Sequence, residues 1–204
     1  VAAQRGDYAK ALENYEESLA IRVRLGDKAS MGGLLSNLGI VAEYRGDFDA
    51  SRRFHERALA LRTEIGDRWA IAVSENNLGM IELLQKRFEE ARDRFRRTML
   101  LAREVGDPWM AALVHNNLGN ATRGLGDYDA ARVHYRDSLR AYRDYDDKWA
   151  LAFLLEDIGV LAALSGDAPP ALELIGAADA LRESIGAPRA PSLDEDIERQ
   201  LAAT

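Results

Sequence analysis

The sequence predicts an all-α chain, a stack of helical hairpins. Three observations carry that expectation: a 40-residue period, a glycine–aspartate mark at the helix junctions, and helical spacing of the apolar residues between marks. Gly6-Asp7, Gly46-Asp47, Gly126-Asp127 and Gly166-Asp167 form one series of marks. Gly26-Asp27, Gly66-Asp67 and Gly106-Asp107 form a second, offset by 20 residues, with Asp146-Asp147 in the next slot. Each 40-residue unit therefore holds two helices, A and B.

The marks have a physical reading. Glycine takes the left-handed conformation that ends a helix, and the aspartate side chain accepts a free N–H at the start of the next. Pro108, directly after Asp107, occupies a first-turn position where a proline sacrifices no hydrogen bond. The B helices are typified by Phe88, Ala91, Phe95, Thr98, Met99 and Ala102, which fall on one helical face.

The A helices carry Leu38-Gly39, Leu78-Gly79, Leu118-Gly119 and Ile158-Gly159 at their centres. A mid-helix glycine costs about 1 kcal/mol relative to alanine, so its recurrence implies close packing. The expected partners are the small B-helix residues Ala91, Ala131 and Ala171, with Ser51 and Ala11 in the same slot. Four residues further along B stand the larger Tyr15, His55, Phe95, Tyr135 and Ile175. Small residues follow again: Ser18, Ala58, Thr98, Ser138 and Ala178.

Leu-Gly in helix A, followed by a small residue, a large one and a small one in helix B, resembles the tetratricopeptide repeat. The resemblance covers nearly the whole chain. It departs from the family pattern in its 40-residue period, in Leu35, Glu75, His115 and Leu155 at the usual first aromatic, and in the absence of a proline at the end of B. It implies a right-handed α-solenoid of helix-turn-helix hairpins. The expected organisation is one array over 1–204: a leading half repeat 1–27, repeats 28–67, 68–107, 108–147 and 148–187, and a C-terminal capping helix 188–204. Long helices of this kind resemble those of kinesin light chains, spindle-orientation scaffolds and bacterial signalling regulators.

One set of polar residues bears on function. Asn37, Asn77, Asn117 and Asp157 share one mid-helix position in A, preceded by Ser36, Asn76, Asn116 and Glu156. Asparagine is a poor mid-helix residue, so its repetition needs a cause. The resemblance places these positions on the concave face, where amides offer both donor and acceptor to the backbone of an extended peptide. Asn120 and Arg123 lie among the neighbouring groove positions, with Ile40, Met80, Glu43, Leu83, Tyr44 and Leu84. A second reading, in which the amides bond between repeats and set the superhelix, stands beside it.

Other aligned residues have structural readings. Trp69, Trp109 and Trp149 share the start of helix A and are expected to be buried against the preceding B helix, so that Trp109→Ala costs ~3–5 kcal/mol. Arg52, Arg92 and Arg132 align on B among acidic neighbours, which predicts a solvated face. His55, His115 and His134 occupy packing slots and are each expected to be structural.

The ends differ from the repeats. Val1 aligns with Val41, so Leu12, Tyr15 and Leu19 of the first helix are expected to be partly uncovered, as in a fragment with further repeats upstream. At the other end Gly186-Ala187-Pro188 and Pro191 interrupt the pattern, and Ser192 to Glu195 open a helix bearing Leu193, Ile197 and Leu201. The run from Ala171 to Pro188, ALELIGAADALRESIGAP, resembles the end of the repeat region in large bacterial STAND/LuxR-type regulators.

Composition narrows the function classes. With no cysteine the fold owes nothing to disulfides, and no apolar run approaches the roughly 18 residues of a membrane span. A net charge of -7 disfavours nucleic acid as a partner of this domain. No glycine-rich phosphate loop, His-Glu-x-x-His or Gly-x-Ser-x-Gly is present, so neither catalytic nor metal residues nor a cofactor are expected. Arginine outnumbers lysine 23 to 4, which suggests a GC-rich bacterial genome.

The expected function is a non-catalytic, cytoplasmic protein- or peptide-binding module, the interaction or sensor arm of a larger bacterial signalling or transcriptional regulator. The peptide-binding residues would be Asn37, Asn76, Asn77, Asn116, Asn117, Asn120, Arg123, Glu156 and Asp157. The alternatives are a small-molecule-sensing arm and a scaffold that self-associates through the uncovered first helix.

Overall fold

The computed structural model of the chain describes residues 8–189, 194, 195 and 197–199. Among them are nine α-helices and no strand: α1 (Tyr8–Leu25), α2 (Lys28–Tyr44), α3 (Phe48–Ile65), α4 (Arg68–Leu84), α5 (Phe88–Val105), α6 (Pro108–Gly124), α7 (Tyr128–Asp144), α8 (Lys148–Leu164) and α9 (Ala168–Ser184). The all-α class and the alternation of A helices (α2, α4, α6, α8) with B helices are as expected.

Most junctions are stated by the sequence. Asp27, Asp47, Asp67, Asp107, Asp127 and Asp147 each accept the backbone N–H three residues on. Gly26, Gly46, Gly66, Gly106, Gly126, Gly166 and Gly186 all have φ between 64° and 85°, the left-handed region that glycine enters at no steric cost. Where the mark fails, the backbone keeps its shape: Lys86 and Asp146 adopt φ of 59° and 50°, and Arg87 begins α5 without a side-chain cap.

The chain divides into two compact units, Val1–Gly106 and Asp107–Thr204. In the first, α2 packs on α3 and α4 on α5 as hairpins, with α1 against α2 and α3 against α4 joining them. Lys28 pairs with Glu64 and Arg68 with Glu104, so both hairpins tie the start of A to the end of B. These pairs are exposed and each contributes about 0–1 kcal/mol. Tyr15 and Ser18 of α1 are half-buried, whereas their repeat equivalents His55, Phe95, Ala58 and Thr98 are wholly enclosed. Leu12, Tyr15 and Leu19 are thus partly uncovered; Val1 to Asp7 lie outside the described residues.

In the second unit α6 packs on α7 and α8 on α9, with α7 against α8. Its core gathers Ala112, Ala131, Tyr135, Tyr142, Leu154 and Leu161. Of the expected capping helix, 194, 195 and 197–199 are helical and Ile197 is buried, while Leu193 and Leu201 lie outside the described residues.

Three expectations are corrected. The mid-helix glycines do not chiefly make room for the small B residues. A Cβ on Gly39 would stand 2.5 Å from His55 Nε2, and one on Gly79 would stand 2.6 Å from Phe95 Cε1. Gly119 meets Tyr135 in the same way, and Gly159 meets Ile175 Cδ1 at 2.9 Å with the Ala171 carbonyl at 3.2 Å. The glycine is a socket for the large residue of its own hairpin, because a ring lying across the helix needs the depth of a missing side chain.

The tryptophans are not buried: Trp69, Trp109 and Trp149 are 53%, 43% and 58% exposed. At the first turn of A the side chain stands at the corner of the hairpin, where the preceding B helix has already ended. Trp109 Nε1 donates to Asp147 at 3.0 Å, and Trp149 packs against the Phe153 ring. Trp109→Ala is therefore expected to cost about 2 kcal/mol, the transfer value of a half-covered ring, in place of ~3–5. Urea unfolding measures it, and a loss above about 3 kcal/mol would refute the exposed placement.

The aligned arginines do not form a merely solvated face. Arg52 reaches from α3 to Glu82 and Gln85 at the end of α4, and Arg132 of α7 donates to Ser165 after α8. Arg92 pairs with Glu89.

His55 is wholly buried, and neither ring nitrogen has a hydrogen-bond partner. Burial, and then the nearby Arg62 charge, lower its pKa to about 4. The unfolded chain binds a proton near pH 6.5, so its affinity for protons exceeds the native state's between those values, and stability falls as pH drops from about 6.5 toward 4. His55→Phe, which copies Phe95, removes that dependence. Between pH 7 and pH 5 the parent is expected to lose about 2 kcal/mol more than the variant in urea unfolding. Parallel pH profiles would contradict a neutral, enclosed His55.

Candidate functional site

The mid-helix polar positions differ between the two units. In the first, Asn37 is exposed on α2 and lines an open groove of about 310 Å³ with Ser18, Arg22, Ser30 and Leu34. Asn76 and Asn77 of α4 are half-buried. Large apolar residues at the neighbouring positions are open to solvent: Ile40 is 40%, Tyr44 66% and Leu84 47% exposed. The Tyr44 ring stacks on Tyr8 of α1 with centroids 5.7 Å apart, which props it outward. The two A helices of the first unit thus offer amides in the middle and apolar groups one or two turns further on, because positions three and seven apart share a face.

In the second unit the equivalent groups bond to one another. Asp157 Oδ2 accepts from Asn116 Nδ2 and Asn120 Nδ2, both at 2.9 Å. Arg123 donates to the Asp157 carbonyl at 3.1 Å, with its other nitrogen 3.5 Å from the carboxylate. Asn120 in turn accepts from the Tyr135 hydroxyl at 2.8 Å, so the socketed ring of α7 is pinned to the network.

Burial raises the Asp157 pKa, and Arg123, Asn120 and Asn116 act against it. The same burial, with the Asp157 charge, pushes the Tyr135 phenol up. Asn117 is 4% exposed. Glu156 is enclosed elsewhere: its carboxylate accepts from Arg182 at 2.6 and 3.0 Å and from Arg189 at 2.9 Å. The structure therefore brings Asn116, Asn120, Arg123 and Asp157 together, sets Glu156 apart in an ion cluster, and leaves Asn37 open.

The family model described as tetratricopeptide repeat matches residues 1–64, 30–104, 70–144 and 110–183. The chain belongs to the tetratricopeptide repeat family. No curated protein sequence matches it. Among solved structures it is similar to BtubC (BKLC) from P. vanneervenii, at 24% identity over 93% of this chain and 78% of that one, with a TM-score of 0.75. It is also similar to the apo form of RapI, at 15% identity over 91% and 68% of the chains and a TM-score of 0.77. A Rap protein complexed with competence and sporulation factor matches at 15% identity over 89% of this chain and 51% of that one, with a TM-score of 0.78. At these identities the likeness concerns the fold.

Within the tetratricopeptide hairpins, sequence reasoning missed one kind of residue pair. Residues 35 and 54 and their repeat equivalents give Leu35/Phe54, Glu75/Arg94, His115/His134 and Leu155/Leu174, and the two polar pairs meet across their hairpins. Glu75 and Arg94 form an ion pair at 2.8 Å, and the Nδ1 atoms of His115 and His134 lie 3.2 Å apart. Aligning the pair instead of each column alone exposes the signal, since polarity changes on both sides together. The Glu156 cluster had no such signal, because Arg182 and Arg189 are 26 and 33 residues away. No helix among the described residues is long and apolar enough to cross a membrane.

Proposed function

We infer that this chain is a non-catalytic protein-interaction module, and that it takes an extended segment of a partner along the A helices of the first unit. The observation that carries the reading is the contrast between units. Exposed Asn37, with Ile40, Tyr44 and Leu84, offers amide and apolar contacts, whereas Asn116, Asn120 and Arg123 already direct their donors to Asp157. A mixed surface of this kind suits a peptide, whose backbone needs both donor and acceptor and whose side chains need apolar seats. The Rap complex with competence and sporulation factor, on a similar fold, supports a bound partner. On this reading the chain is the interaction arm of a larger bacterial, cytoplasmic signalling regulator. The second-unit residues, Asn117 and Glu156 included, serve by fixing the repeats.

The test is selection of displayed peptides on the full chain, followed by affinity measurement with Asn37→Ala, Tyr44→Ala and Asn77→Ala combined. A loss of at least about tenfold with an unchanged melting temperature is expected, equal to about 1.4 kcal/mol of binding. Binding that survives the triple variant would overturn the placement.

Self-association has its own observation, since Ile21, Val23 and Leu25 of α1 are 42%, 53% and 67% exposed. Sedimentation of the full chain against Val23→Glu separates that reading from a monomer. The small-molecule reading draws less support: the apolar groove between α1, α2 and α3, lined by Leu19, Val23, Leu38 and Phe54, opens to solvent.

A further inference from the structure

His115 on α6 and His134 on α7 are the pair whose counterparts in the neighbouring hairpin are Glu75 and Arg94. Both rings are half-buried, their centroids are 5.5 Å apart at an interplanar angle of 41°, and their Nδ1 atoms approach to 3.2 Å. Without a metal this contact is an N–H···N hydrogen bond, one imidazole donating to the other. The same separation has a second meaning. Two imidazole nitrogens bound to one ion at 2.0–2.1 Å lie about 2.9 Å apart at a right angle and about 3.3 Å apart at the tetrahedral angle. The observed distance falls between these limits, so turning both rings to aim Nδ1 at one point replaces the shared proton by an ion without separating the helices.

We propose that His115 and His134 form a two-histidine chelate for a borderline transition-metal ion, with Cu²⁺ preferred over Ni²⁺ and Zn²⁺. Imidazole suits these ions, and the order follows from their general affinity for nitrogen donors. Among the described residues no group of three or more His, Cys, Asp or Glu side chains is placed to hold a metal, so the chain supplies two ligands and water completes the shell. The ligands stand on different helices of one hairpin. A bound ion therefore staples α6 to α7, one residue from Asn116 and its bond to Asp157. It binds the folded hairpin and not the separated helices, so it raises the stability of that hairpin by mass action.

The experiment titrates the full, untagged chain with Cu²⁺, Ni²⁺ and Zn²⁺ and compares a double variant, His115→Glu with His134→Arg. The double variant copies the Glu75–Arg94 ion pair and keeps a lock between the helices. The expected result is one Cu²⁺ per chain with nitrogen hyperfine splitting in its electron paramagnetic resonance spectrum, weaker Ni²⁺ and Zn²⁺ binding, a raised melting temperature, and slower amide exchange in α6 and α7. All of these are lost in the double variant. If that variant fails to fold, His134→Gln alone is expected to weaken Cu²⁺ binding and to reduce the nitrogen splitting from a two-nitrogen to a one-nitrogen pattern. Absence of stoichiometric binding, or equal Cu²⁺ binding by the variant, overturns the proposal, because surface carboxylates or His55 would then hold the ion.

Discussion

Replacement of Glu156 by alanine is expected to destabilise the second unit by about 3–5 kcal/mol, the cost of leaving a buried charge without its partner. The Glu156 and Arg182 side chains are each 5% exposed, and the guanidinium is held by both carboxylate oxygens. Arg182 also lies over the Phe153 ring at 4.2 Å, so it has no path to water without disturbing α8. Arg189 is better placed to survive the change, since Asp179 and Asp194 bind it as well. The burden therefore falls on Arg182. Removing both charges with Glu156→Leu and Arg182→Met is expected to restore most of the loss, because an apolar pair of similar volume needs no counter-ion. Urea unfolding of the three proteins decides it. A single-variant loss below about 1 kcal/mol would show that the cluster is hydrated.

Gly119→Ala is the second large effect expected, about 1–3 kcal/mol of destabilisation or more. Alanine would gain about 1 kcal/mol as a helix former, so the sign depends on the space available. There is none: the added Cβ falls on the edge of the Tyr135 ring, which is 1% exposed and pinned through its hydroxyl to Asn120. The ring cannot yield without breaking that bond and the Asp157 network behind it. Gly176 of α9 is the control, because a Cβ there meets nothing within 4 Å. Gly176→Ala is expected to stabilise by up to about 1 kcal/mol. Opposite signs for these two substitutions in thermal unfolding, on one chain, separate the socket from helix propensity.

Much of the fold was legible in the sequence because its punctuation is local. A left-handed glycine and an aspartate cap act within four residues, so Gly66-Asp67 means the same whatever surrounds it. Helix number, length and pairing follow directly. The misreadings concern direction, which a column of aligned residues does not contain. Trp69, Trp109 and Trp149 align as well as any core residue, yet they stand on a corner. Gly39 and its equivalents were matched to small residues, whereas the side chain that fills the socket is the large one four residues on. At the candidate site, the asparagine column read as one feature is two. Asn37 faces solvent, whereas of its equivalents Asn117 is buried and Asp157 is bonded to Asn116 and Asn120, and the difference depends on contacts across repeats that spacing cannot supply.

The position that holds Leu35/Phe54, Glu75/Arg94, His115/His134 and Leu155/Leu174 has a consequence for how the chain sorts itself during folding. Near-identical repeats invite misassembly, in which a helix docks on the partner of its neighbour. Here adjacent hairpins carry pairs of different chemistry. Glu75 against Phe54 would bury a carboxylate on a phenyl ring, and Arg94 against Leu35 would strand a guanidinium on an aliphatic surface. The variation that looks like decay of the repeat is an address, and it makes the correct partner cheaper than that of the adjacent hairpin.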